Sequence, residues 1–311
     1  WDIYVHKLSG SGQALWANPV EVAAQGHTQP GQRVQIALDS SGKAVITWDG
    51  YERYEYARGA WMQAVTADGS LFWSGPRQIA WNISPYPAIA AGSAGQVLVA
   101  YNGVEYMRIG VTSSSGISYH ASRHVSEASG TEHQREAAIE YTSNNSLIVG
   151  WRNFADDNIN HSFVLQSLNS SGVPLWSNPR RIPTQLYDGH LFLFNNLPPV
   201  QTAVTQDGSI YAAWSAEVGS SADPYIQKLD QNGNVLWANN LLIDIEGFVL
   251  ENIAPMPDGG VVVAYQKSRY ENGGWIYATY LQRVSTSGQL LWGSGVRLAG
   301  HEMPKEVGLV A

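Results

Sequence analysis

The stretch Asp230-Gln-Asn-Gly-Asn-Val-Leu-Trp237, preceded by the alternating run Tyr225-Ile-Gln-Lys-Leu229, decides the fold because a version of it occurs six times. Aligned on the turn glycine and the aromatic that follows, the copies read Gly12/Trp16, Gly69/Trp73, Gly116/Tyr119, Gly172/Trp176, Gly233/Trp237 and Gly288/Trp292, the third being one residue short. A period of roughly 55 residues belongs to propellers and solenoids. Each copy joins two short alternating runs through a polar turn, where Asn-Gly or Ser-Gly accepts the positive φ of a tight hairpin or its G1 bulge. The repeating unit is expected to be a β-hairpin.

A second hairpin family alternates with the first. Val34-Gln-Ile-Ala-Leu38 and Ala44-Val-Ile-Thr-Trp48 flank a turn at Gly42, and the pattern returns around Gly95, Asn144-Asn145, Gly208 and Gly259. Each second run ends in an aromatic: Trp48, Tyr101, Trp151, Trp214, Tyr265. These runs are more continuously apolar than the first family, the pattern of strands buried on both faces. One repeat is then strand A, turn, B, variable loop, C, glycine turn, D. Four antiparallel strands per repeat without helical periodicity predict an all-β, six-bladed β-propeller as one domain over 1–311. Five blades are complete, at about 33–80, 86–127, 137–183, 198–244 and 249–299. Residues 1–22 supply only C and D of a sixth, and 306–311 read as its strand A, which closes the ring and hides the sheet edges. Its strand B has no sequence, so either that blade is three-stranded or residues are missing from one end, and the second is expected.

Lys plus Arg number 18 and Asp plus Glu 26, a net charge of −8 with only 14% charged residues. That balance speaks against a nucleic-acid partner, which requires a basic stripe. No apolar run approaches the ~20 residues of a membrane-spanning helix. The chain has no cysteine, so neither disulfides nor thiolate metal sites arise. Low charge with abundant Gly, Ser, Trp and Tyr suits an extracellular or cell-surface protein, and a first residue of Trp suits a processed chain.

Asp2-Ile-Tyr-Val-His-Lys-Leu8 with Trp16, and Tyr225-Ile-Gln-Lys-Leu-Asp230 with Trp237, resemble the DIYVQKLDxxGNxLW repeats of large secreted bacterial surface proteins with β-propeller segments. The Gly-x-x-x-Trp spacing is also similar to the tryptophan-docking repeats of quinoprotein propellers and their non-enzymatic outer-membrane-assembly relatives. The resemblance implies fold, and only loosely adhesion or partner binding, within a longer surface chain. A quinone enzyme of that kind carries a vicinal cysteine pair, absent here, so no cofactor is expected. A residue present in every copy serves what every copy shares, and the six aromatics are read as docking each blade on the next.

Function is sought instead on the variable B–C loops and D–A connections. The loop at 49–60 sets Tyr51, Tyr54 and Tyr56 beside Arg53 and Arg58, and the loop at 266–275 repeats the theme with Arg269, Tyr270 and Trp275. Aromatic and polar groups so mixed suit a glycan or peptide, or simply cap a blade. Arg152, Asp156 and Asp157 on the loop at 152–162 join the candidate binding residues; Asx-rich turns explain the aspartates as well as calcium does. The connection at 183–199 carries Tyr187, His190, Phe192 and Phe194; its apolar content suits a segment folded over the disc, and a packed surface excursion is favoured over that. His120, His124 and His133, with Glu127, Glu132 and Glu136, fall in or beside the connection at 121–136; no spacing there is a ligand pattern, and a solvated loop is favoured over a metal centre.

Two functions follow. The favoured one is a non-enzymatic extracellular binding or scaffold module for a glycan or protein partner. The alternative is a carbohydrate-active enzyme, a glycosidase or a polysaccharide lyase, the latter using Tyr187 and His190 with Arg152 to stabilise a developing anion.

Overall fold

The computed structural model of the chain describes residues 3–7, 14–23, 28–38, 42–52, 58–81, 88–91, 97–102, 107–113, 116–124, 132–142, 144, 146–155, 161–169, 172–183, 200–218, 221–245, 247–271 and 274–298. The chain divides into two compact units, one of Trp1–Ala128, Gln134–Tyr141 and Ser170–Val173, the other of Ser129–His133, Thr142–Asn169 and Pro174–Ala311. All the regular structure described is strand.

Strands β1 (Ile3–Val5) and β2 (Val20–Ala23) form an antiparallel pair. Five four-stranded sheets follow, each with its strands neighbouring in chain order. They are β3 (Thr28–Leu38), β4 (Ala44–Glu52), β5 (Arg58–Val65) and β6 (Arg77–Trp81); β7 (Ala88–Ala91), β8 (Val97–Asn102), β9 (Met107–Ser113) and β10 (Gly116–His124); β11 (Glu132–Tyr141), β12 (Leu147–Ala155), β13 (His161–Leu168) and β14 (Arg180–Pro183); β15 (Gln201–Val204), β16 (Ile210–Val218), β17 (Ser221–Leu229) and β18 (Leu241–Leu242); and β19 (Gly247–Pro255), β20 (Val261–Glu271), β21 (Gly274–Val284) and β22 (Val296–Arg297).

The B strands β4, β12, β16 and β20 bury both faces, as their apolar runs require: Trp48, Trp151 and Trp214 are among the largest fully buried side chains. Of the C strands, β5, β13 and β17 are largely buried as well, although their sequences are partly polar. Gln63, Gln166, Gln227 and Gln282 are all buried, and each completes its hydrogen bonds in one way. Its Oε1 accepts the N–H of the next residue, as Lys228 N donates to Gln227 at 2.8 Å. Its Nε2 donates across to the D side, to Trp73 O, Trp176 O, Trp237 O and, in the last repeat, Gly293 O. These hydrogen bonds offset the desolvation of the buried amide.

Above each of these glutamines the D side forms a wide bulge that alternation did not foretell. Leu229 bridges Val235 just past the turn, and the next pair along is Ile226 with Leu241, so three residues on the C strand face six on the D side. The same offset separates Val65/Leu71 from Met62/Arg77, Leu168/Pro174 from Leu165/Arg180, and Val284/Leu290 from Leu281/Val296. Extra residues bend the strand outward. The tryptophan is thereby carried sideways onto the next repeat's turn. Trp16 donates Nε1 to Ala67 O at 3.2 Å, Trp176 to Gln231 O at 3.3 Å and Trp237 to Thr286 O at 3.3 Å. At Gly233, φ is +77° and an added Cβ would stand 2.6 Å from Arg180 Cγ and 3.0 Å from Trp176, so the turn glycine answers both to the backbone and to the docked ring. At these three junctions the repeated aromatic is a docking group, as its recurrence predicts.

Two expectations change. The B–C segments are mostly not loops: β16 and β17 stay paired out to Val218 with Ser221, β20 and β21 to Glu271 with Gly274, and β4 with β5 at Tyr51 and Arg58. Their polar composition reads as loop, but backbone pairing needs no apolar side chains. The connection at 121–136 likewise shrinks, since His120 and His124 lie on β10 and His133 on β11. Gly116 is not a turn residue but opens β10, paired with Ser113.

Candidate functional site

Of the candidate residues, Tyr51 stands on β4 and Arg269 and Tyr270 on β20, opposite Arg58, Ile276 and Trp275. Arg152, on β12 opposite Phe163, is buried, and its Nη2 donates to Ser215 O at 3.4 Å. Ser215 in turn accepts the Leu250 N–H on its hydroxyl at 2.8 Å, so Arg152 enters a chain of contacts linking β12, β16 and β19. Arg53, Tyr54, Tyr56, Asp156, Asp157, Tyr187 and His190 lie outside the described residues, as does the segment 306–311 expected to supply a strand A. Among the described residues no three His, Asp or Glu side chains converge as metal ligands.

At the B–C and D–A end, the structure assembles a group that the sequence did not single out. Tyr265 on β20 donates its hydroxyl to Asp244 Oδ2 at 2.9 Å, and Lys267, two residues on along the same strand, pairs with that oxygen at 2.6 Å. Lys267 Nζ also lies 4.9 Å from the ring of Tyr280, which stacks on Tyr265 at 6.0 Å. The i, i+2 spacing puts Tyr265 and Lys267 on one face of the strand, which is the only sequence signal for the cluster. Burial first, and then the Asp244 carboxylate, push the Tyr265 hydroxyl far above its ordinary pKa. It stays protonated at any physiological pH and serves as a donor, never as a base. The charges of Lys267 and Asp244 compensate each other in a nearly closed site, an arrangement that fixes the segment after β18 against β20.

At the other end of the sheets, where A–B and C–D turns lie, a cleft of about 140 Å³ opens in the second unit. Thr142, Asn144, Ser146 and Ile148 form one wall, Gln206, Asp207, Gly208 and Ile210 another, and Ser167 and Gln231 close it. Its polar wall groups are hydroxyls, amides and one carboxylate. Asp207 accepts the Thr205 hydroxyl at 2.6 Å, the Ser209 N–H at 3.0 Å and the Ser209 hydroxyl at 3.1 Å. The Thr205 hydroxyl foremost, then the Ser209 amide, hold its pKa below the usual carboxylate value. The residues were legible as turn formers; the space between them was not.

No family model matches the chain, and no curated protein sequence matches it. Among solved structures it is similar to a protein of unknown function from Dyadobacter fermentans, 12% identical over 81% of this chain and 78% of that one, with a TM-score of 0.53. It is also similar to the α-L-arabinanase of Penicillium chrysogenum solved with arabinobiose (12% identity, 86% and 81% covered, TM-score 0.49), and to the Dos1 propeller (9% identity, 85% and 86% covered, TM-score 0.44). At such identities a likeness bears on fold alone. The chain is all-β, built of four-stranded antiparallel meanders, and consistent with a β-propeller.

Proposed function

We propose that the chain is a non-enzymatic extracellular binding or scaffold module, recognising a glycan or protein partner at the B–C and D–A end of a six-bladed propeller. The observation that carries the reading is the pairing of the B–C segments. The backbone at Tyr51, Arg269 and Tyr270 belongs to hydrogen-bonded ribbons that continue the strands beyond Trp48 and Tyr265, so the segments carrying these residues have a fixed backbone. Preorganised aromatics bind with little entropic loss.

The six-bladed frame is supported by one exposed stripe. Strands β1 and β2 pack on Ala44, Ile46 and Trp48 of β4. The register partners of those residues on β3, Leu38, Ile36 and Val34, share that face, yet are 66%, 55% and 42% exposed. Inner strands of a sixth sheet would lie there, and 306–311 is the segment we assign to its strand A.

A glycan array probed with the wild-type chain and the Arg269→Ala/Tyr270→Ala variant tests the reading, alongside incubation with polysaccharides followed for new reducing ends and unsaturated products. Expected are a bound glycan class, at least tenfold weaker in the variant, and no product. Turnover of any polysaccharide would replace the binding module by the carbohydrate-active alternative resting on Tyr187, His190 and Arg152.

A further inference from the structure

The cleft at the turn end exists because two side chains of the following repeat have no counterpart beside it. One repeat on, Tyr211 of β16 is fully buried and donates its hydroxyl to Gly259 O at 2.9 Å. Lys228 of β17 sets Nζ 5.4 Å from the Tyr211 ring and 3.5 Å from Thr286 O. In the preceding sheet these positions hold Ile148 and Ser167: Ile148 follows Leu147 as Tyr211 follows Ile210, and Ser167 follows Gln166 as Lys228 follows Gln227. Both line the cleft. The ammonium contact is a habit of the other docked junctions, since Lys7 also places Nζ 3.2 Å from Ala67 O beside Trp16. Beside Trp176 no lysine stands in that place, and Arg180 reaches the neighbouring Asn232 O at 3.3 Å instead.

A phenol and an ammonium are thus removed while the acceptors they address remain. Gly208 O corresponds to Gly259 O, and Gln231 O to Thr286 O. Gln231 O takes the Trp176 N–H at 3.3 Å, and a carbonyl has a second lone pair to offer. Asp207 uses three of about four acceptor sites within its turn and keeps one. Asn144 Oδ1 accepts from Ser146 N at 3.1 Å and Ser146 Oγ at 2.7 Å, which leaves its NH₂ as the group it can donate. The volume equals roughly four or five waters at about 30 Å³ each, enough for the edge of one sugar ring.

We propose that this cleft binds an amino sugar, with the ammonium between Gln231 O and Asp207 and a neighbouring hydroxyl on Gly208 O. The ligand supplies from outside the two donors that Lys228 and Tyr211 supply one repeat later. The site lies at the opposite end of the sheets from the partner surface proposed above and stands independently of it.

Calorimetric titration with the glucosamine trimer, its N-acetylated form and cadaverine tests this, on the wild-type chain and on two variants. Ile148→Tyr/Ser167→Lys refills the cleft with the side chains of the next repeat; Asp207→Asn removes its charge. The glucosamine trimer is expected to bind the wild-type chain, with the N-acetylated trimer and cadaverine at least tenfold weaker. The refilled variant should lose at least tenfold in affinity while its melting temperature stays equal or rises, and Asp207→Asn should lose about tenfold. No binding to the wild-type chain, equal binding of the N-acetylated trimer or cadaverine, or binding retained by the folded refilled variant overturns the proposal. If the double variant does not fold, Ser167→Lys alone is read by the same criterion.

Discussion

The hairpin of β17 with β18 and that of β9 with β10 occupy the same place in their sheets, yet their D strands differ. In the first, Gln227 fills the mouth of the bulge and Trp237 is thrown out to dock. In the second, Gly110 stands six residues before Gly116, as Gln227 stands six before Gly233, and β10 runs unbroken from Gly116 to His124. Its surplus residues are absorbed as two smaller register shifts. The two hairpins differ both in the turn, since Gly116 is paired with Ser113, and in the residue beneath the D strand. A bulge withdraws peptide groups from the ladder, and without an amide to receive them they would be left unpaired.

The harshest way to break the bulged hairpin is to remove what it delivers. Trp237 is half-buried, meets Tyr211 edge-on at 5.8 Å and holds Thr286 O. Trp237→Ala should cost about 3 kcal/mol, the low end for tryptophan truncation because part of the ring faces solvent. Denaturant unfolding followed by far-UV circular dichroism reads it, and a loss below about 1 kcal/mol would mean the docking is ornamental. Gln227→Leu keeps the volume but strands Trp237 O and Lys228 N, for an expected loss of about 2 kcal/mol. An unchanged unfolding midpoint in that variant would detach the bulge from the glutamine.

The contrast also marks what could be seen in the chain before any coordinates. The glycine-to-aromatic period and the apolar A–B hairpins were legible, because each is a local pattern repeated. The degenerate third copy was visible as a missing residue, but its consequence depends on Gly110, whose role appears only once Gln227 is seen to bond across the sheet. The B–C segments were misread because Gly, Asp and Ser mark loops locally, whereas strand pairing there is a matter of register. The cleft was hidden for a different reason. It is defined by Ile148 and Ser167 being smaller than Tyr211 and Lys228, a comparison between copies that no single copy displays.

A gentler change sharpens the comparison by moving one repeat toward the majority. In the first copy His6 stands where four of the others have glutamine, with its ring 6.2 Å from Trp16. The start of that hairpin is otherwise the same, Leu15 N donating to Lys7 O at 2.8 Å as Leu236 N does to Lys228 O. His6→Gln should supply the missing staple and stabilise the chain by about 0.5–1 kcal/mol, the net worth of a hydrogen bond. A destabilised variant would show that the imidazole already fills that role.

The smallest effect separates the turns by charge. Asp207 and its counterparts Asp68 and Asp258 cap their own turns as carboxylates, whereas the turn after β11 uses the neutral Asn144 in that place. The Thr205 hydroxyl lowers the Asp207 pKa, the Thr66 hydroxyl that of Asp68 and the Gly260 amide that of Asp258, each from an ordinary value of 3.8. A depressed pKa means the folded state holds fewer protons than the unfolded one as pH falls through the ordinary value. The stabilisation is complete well above 3.8 and disappears as pH drops through the lowered folded values. The turn capped by Asn144 contributes nothing to this slope. Asp207→Asn should therefore melt below the wild-type chain at pH 7, and the two melting temperatures should converge as pH is lowered from about 5 toward 2. Parallel melting curves across that range would mean that the Asp207 bonds stabilise through geometry alone, and that the charged and neutral turns are equivalent.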